Sequence, residues 1–126
     1  MAQFGALEAA IMDCVWAATE PLTVRDILTG LDRKPALAYT TVLSVCQKLE
    51  RKGFLSHDTV GTAYRYVPVQ TREQHTAAVM SAALDGGGGP REGALLAFVE
   101  QLSDTETQAL ADALARVRRS SRRPVQ

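Results

Sequence analysis

The sequence predicts a mostly α-helical chain carrying one small β-hairpin, and three observations predict it. Apolar residues recur at helical spacing through residues 7–17, 38–52 and most of the chain after 71. Between them, residues 55–67 lose that period: Tyr64 and Tyr66 alternate with Ala63, Arg65 and Val67, and Thr59-Val-Gly-Thr62 supplies a turn. No strand pattern returns after Val67.

The first helix spans Leu7 to Ala17, with Leu7, Ile11 and Val15 on one side and Met12 and Trp16 alongside; Pro21 ends its neighbourhood. Thr23-Val-Arg-Asp26 has the form of a capping box with Asp in the usual place of Glu, opening a short helix that Gly30 stops. Arg33-Lys34-Pro35 is a basic connection into a third helix, which runs from Ala38 until Gly53 halts it as a C′ glycine. At about 100° per residue, Val42, Val45, Cys46 and Leu49 share one side of this helix. Thr40, Ser44, Gln47, Lys48 and Arg51 share the other, with Thr41 at its edge. One side is core; the other is built to touch something polar.

Helix, helix, helix, hairpin is the order of a winged helix-turn-helix, whose third helix enters a DNA groove while the hairpin leans on the neighbouring backbone. A single amphipathic helix is more simply a solvated surface; the hairpin behind it reverses that preference. On this reading Thr40, Thr41 and Ser44 reach base edges, and Lys48, Arg51, Lys52 and Arg65 meet phosphates. The charge supports it. The chain of 126 residues has a formal net charge of zero, yet residues 1–32 carry one base and five acids, and residues 33–66 six bases and two acids. Phosphate binding answers to the field within about a Debye length, so the segregation outweighs the total.

Residues 1–68 therefore form the winged-helix domain, and residues 69–126 a helical domain with a Gly-rich break at 86–89 and a basic tail. Its helices run over Thr71 to Leu84, Arg91 to Leu102, and Asp104 to Arg119 behind the capping box Ser103-Asp-Thr-Glu106. Val79, Leu95, Phe98, Val99, Leu102, Leu110 and Leu114 give these helices apolar sides that so short a segment cannot cover, and pairing with a second copy is the natural solution.

Enzymatic and cofactor chemistry find no footing. No nucleophile stands beside a base, the four glycines lack the Lys-Ser/Thr of a phosphate loop, and His57 and His75 stand without partners at metal-ligand spacing. Cys14 and Cys46 occupy apolar helical positions, as buried thiols do. The longest apolar run, Ala94 to Val99, is far below the ~18 residues of a membrane span, so the expected compartment is the cytoplasm and direct membrane insertion is not expected.

These pieces together resemble the BlaI/MecI family of penicillinase and methicillin-resistance repressors. The resemblance rests on Leu7-Glu-Ala-Ala-Ile-Met-Asp-Cys-Val-Trp16, Thr23-Val-Arg-Asp-Ile27, Ala38-Tyr-Thr-Thr-Val42, Leu49-Glu-Arg-Lys-Gly-Phe-Leu55, Tyr64-Arg-Tyr66 and Leu95-Leu-Ala-Phe-Val99. It implies a homodimeric repressor on a palindromic double-stranded DNA operator of TACA and TGTA blocks, with Thr40, Thr41, Ser44 and Lys48 facing the groove. It also implies relief through a membrane sensor of β-lactam and cleavage near Ala97-Phe98. Two positions depart from the pattern: Ala97 stands where founding members carry Asn, and Leu43 where some carry a basic residue. Two rival readings use the same fold, a regulator sensing a small molecule in its C-terminal region and a winged-helix adaptor for protein contact.

Overall fold

The structure, a computed structural model, describes residues 4–121. In chain order the elements are α1 (Ala6–Ala17), β1 (Leu22–Thr23), α2 (Val24–Leu31), α3 (Tyr39–Arg51), β2 (Leu55–Val60), β3 (Ala63–Pro68), α4 (Arg72–Gly86), α5 (Arg91–Val99) and α6 (Asp104–Ser121). The chain divides into two compact units, Met1–Met80 and Ser81–Gln126. The first holds a winged helix.

Its core draws on every element through β3 except β1. Ile11, Met12 and Val15 of α1 meet Val24 and Ile27 of α2, Val42, Cys46 and Leu49 of α3, Leu55 of β2 and Tyr66 of β3, all buried. Each fully buried Val, Leu or Ile contributes roughly 1.5–3 kcal/mol, so rotating α3 to expose Val42 and Leu49 costs several kcal/mol. Both cysteines are free thiols; Cys46 is buried, and burial pushes its thiol up to about 11.

The capping boxes form. The Asp26 amide donates to Thr23 Oγ1 at 3.1 Å and the Thr23 amide to Asp26 Oδ2 at 3.0 Å. Ser103 and Glu106 make the same reciprocal pair before α6, which holds the Glu106 carboxyl below its ordinary value. Thr71 and Gln74 form a third, not anticipated, which starts α4 at Arg72. Gly53, at φ 88°, follows the C-cap of α3 as expected.

Four expectations change. The helix expected to stop at Gly30 runs through it to Leu31, and Asp32 supplies the left-handed cap at φ 47°. Gly30 instead serves packing, since a Cβ there would lie 3.4 Å from Cys14 Sγ. The hairpin is a sheet of three antiparallel strands in the order β1-β3-β2, because the free edge of β3 takes up Leu22 and Thr23 opposite Tyr66 and Arg65. The turn sits one residue later than Thr59–Thr62 suggested: Val60 pairs with Ala63 around Gly61, at φ 62°. That shift sets Asp58 opposite Arg65. Lastly, α5 ends at Val99 rather than Leu102, in a turn where the Leu102 amide donates to the Val99 carbonyl at 3.1 Å and Ser103 begins the next cap.

The first unit continues past Pro68 because the start of α4 is bound into it. Trp16 Nε1 donates to the Gln70 carbonyl at 2.9 Å, and Arg72 pairs with Asp13 at 2.9 Å while lying over the Trp16 ring. His75 stacks on Phe4, with Phe54 and Trp16 around it.

In the second unit, Gly86 closes α4, Gly88 turns at φ 74° and Pro90 caps α5; Arg91 pairs with Asp85 across this turn. No residue of α4, α5 or α6 is fully buried. Leu95, Leu96, Phe98, Leu114 and Val117 are exposed, and Val99, Leu102 and Leu110 half-buried, as is Val79 on the part of α4 that belongs to the first unit. Among the described residues no helix is long and apolar enough to cross a membrane.

One polar atom in the core is left over. The Tyr66 hydroxyl is buried without a hydrogen-bond partner among the described residues, and burial pushes its pKa up to about 12. An unsatisfied hydroxyl costs free energy that its removal returns. Tyr66→Phe is therefore expected to leave stability unchanged or raise it by up to ~1 kcal/mol, measured by urea denaturation; a loss of 2 kcal/mol or so would show that the hydroxyl is satisfied.

Candidate nucleic-acid interface

With Val42, Cys46 and Leu49 fixed in the core, the opposite face of α3 is fixed outward. Thr40, Thr41, Ser44, Gln47, Lys48 and Arg51 are all exposed on it, as the helical period predicts. Val45, expected in the core, is only half-buried at its margin, as is Leu43 on the other flank. Ala38 caps the helix with backbone only, and Lys48 and Arg51 in the last turn complement the negative end of its dipole.

The seven residues expected to meet DNA divide into two groups. Thr40, Thr41, Ser44, Lys48 and Arg51 lie together on α3, and neither cation among them has an acidic partner among the described residues. Lys52 and Arg65 are already engaged. Lys52 Nζ donates to Glu8 Oε2 at 2.9 Å, and the Glu8 side chain is 9% exposed. The other Glu8 oxygen accepts from the Gly5 amide at 2.9 Å, so one carboxylate caps α1 and ties it to the end of α3. Arg65 meets Asp58 through two parallel hydrogen bonds, Nε to Oδ1 at 3.0 Å and Nη2 to Oδ2 at 2.8 Å. That contact holds the Asp58 carboxyl below its ordinary value and raises Arg65.

The wing is braced against the same helix. His57 of β2 places Nδ1 at 2.7 and 2.8 Å from the Glu50 carboxylate oxygens and stacks on Tyr64 with ring centroids 4.2 Å apart. His57 and His75 are thus both packing residues. One cation on this side was missed: Arg25 of α2 is exposed, unpaired among the described residues, and lies 5.7 Å over the Tyr39 ring. The periodicity of α3 could not reveal it, since it belongs to the preceding helix and meets Tyr39 only in the fold.

A three-helix core, a three-stranded wing and an outward polar third helix define the winged-helix class of transcriptional regulators. The chain belongs to the penicillinase repressor family, whose family model matches residues 4–116. It is 40% identical over 117 residues to the transcriptional regulator BlaI of Mycobacterium tuberculosis, in strains CDC 1551 and H37Rv, an alignment covering 91% of this chain and 85% of the relative. These relatives are transcriptional regulators, not enzymes. Among solved structures, MepR, a transcription regulator of the Staphylococcus aureus multidrug efflux pump MepA, is similar in fold. Its TM-score is 0.51 at 18% identity, over 95% of this chain and 82% of that one.

The Glu8 carboxyl is held below its ordinary value of 4.5, first by the Gly5 amide and then by Lys52. Its contribution to stability is therefore complete above about pH 4.5 and is lost as pH falls through the lowered value of the folded state. Glu8→Gln should cost about 1–2 kcal/mol at neutral pH, with the difference from the native chain shrinking below pH 4.5. Denaturation at several pH values checks both the size and the direction.

Proposed function

We propose that the chain is a homodimeric repressor that reads a palindromic operator of TACA and TGTA blocks with the exposed face of α3. The observation that carries this reading is that Thr40, Thr41 and Ser44 share one exposed face of α3 with Lys48 and Arg51 of its last turn, two cations without an acidic partner among the described residues. Hydroxyls and a threonine methyl suit base edges and a thymine methyl, and the flanking cations suit phosphates. Lys52 and Arg65 are held by Glu8 and Asp58, which leaves the phosphate contacts of this face to Lys48 and Arg51.

The apolar sides of α5 and α6 supply the dimer. Leu95, Phe98 and Leu114 are exposed in the single chain, and Val99, Leu102 and Leu110 of the same unit are half-covered; Val79 on α4, also half-covered, is proposed to join the interface. Two-fold symmetry in the protein matches the palindrome, and linking two readers raises their joint affinity by roughly 10²–10⁴. Relief then follows from losing the linkage. A membrane sensor of β-lactam that leads to cleavage between Ala97 and Phe98 would do so; both residues are exposed, and because the bond lies inside α5 the helix must open first.

Selection of bound fragments from random duplexes should return a palindrome. Thr41→Ala or Ser44→Ala should relax its base preference with little effect on salt dependence; binding that ignores sequence contradicts the reading. Sedimentation of the whole chain at micromolar concentration should give a dimer that Leu95→Asp with Leu114→Asp converts to monomer. In the native host, mass spectrometry after β-lactam exposure should find the chain cut when transcription is derepressed, and an intact chain would point to a small-molecule signal.

A further inference from the structure

Between α3 and the wing the structure holds a cleft of about 610 Å³, whose lining includes Arg25, Tyr39, Leu43, Gln47, Thr62 and Tyr64. Tyr39, Leu43 and Gln47 are spaced by four and form one stripe of α3, on the flank away from Thr41 and Lys48. Arg25 is the one charged residue in the lining. It has no acidic partner among the described residues, and the Tyr39 ring beneath its guanidinium limits its freedom.

If α3 enters a major groove and the wing leans toward the next minor groove, a single phosphodiester strand separates the two and must pass between them. We propose that this cleft is the seat of that strand and that Arg25, not Arg65, is the cation that meets its phosphate. The assignment rests on the reading of α3 given above. A planar guanidinium presents paired donors that match phosphate oxygens, and one already stacked on a ring loses less freedom on binding. Thr62, Tyr64 and Tyr39 add hydroxyls around the strand, and Gln47 an amide. Arg65 is less available for this. The paired Nε and Nη2 edge of its guanidinium already faces Asp58, whose negative charge also repels a phosphate.

The test is the affinity of the full-length protein for duplex DNA as a function of salt. Arg25→Ala should lower the slope of log affinity against log salt by about one unit. Arg25→Lys should restore the slope, and Arg65→Ala should leave it as in the native chain. Arg25 is exposed on a helix and alanine favours helix, so the variant keeps the fold, which its melting curve checks. An unchanged slope in Arg25→Ala, or an equal fall in Arg65→Ala, overturns the assignment. A protein that prefers no base sequence yet loses slope in Arg25→Ala would overturn the reading of α3 and leave the cleft standing. One that binds no duplex overturns both.

Discussion

The burial of one face of α3 is the constraint from which the rest follows. Val42, Cys46 and Leu49 are fully enclosed by α1, α2 and the sheet, so the rotation of the helix about its axis is set by the core. Nothing on the outer face needs to hold the helix in place. Thr40, Thr41 and Ser44 are therefore free to be chosen for what they touch, and the core supplies the rigidity that a recognition surface needs. The tie from Glu8 to Lys52 and the contact from Glu50 to His57 fix the far end of the same helix to α1 and to the wing.

Ion pairing inside the chain decides which cations remain for a polyanion. The sequence has equal numbers of acids and bases, and its central third is basic. In the fold Glu8 and Asp58 withdraw Lys52 and Arg65 from that surplus, while Lys48, Arg51 and Arg25 have no acidic partner among the described residues. A count of basic residues along the sequence thus overstates the wing and overlooks α2. The positive charge left unpaired among the described residues of the first unit is therefore centred on α3 and the cleft beside it.

What could be read from the sequence was what local chemistry determines. The two faces of α3, the caps at Thr23 and Ser103 and the stop at Gly53 each depend on residues within a turn or two of one another, and each is where the pattern placed it. Thr71-Arg-Glu-Gln74 carried the same capping signal and could have marked the start of α4. Long-range features were beyond that reach. The Lys52 and Glu8 partners are 44 residues apart, and a two-residue strand such as β1 has no period of its own; it exists because β3 offers a free edge. Arg65 and Asp58 lie in between, since their pairing depends on a turn position that was misplaced by a single residue. The proposed dimerisation face is legible only as a deficit: apolar residues after Pro90 that remain uncovered in one chain.

The central claim is that the outer face of α3, with the cleft beside it, is where duplex DNA sits. Backbone amide shifts of the isotope-labelled protein, followed during titration with a selected operator duplex, test it most directly. The account predicts the largest changes at Thr40, Thr41, Ser44, Gln47 and Lys48, with a second group at Arg25 and Thr62 to Tyr64. Changes centred on α1, or on α5 and α6 with α3 unmoved, would contradict it.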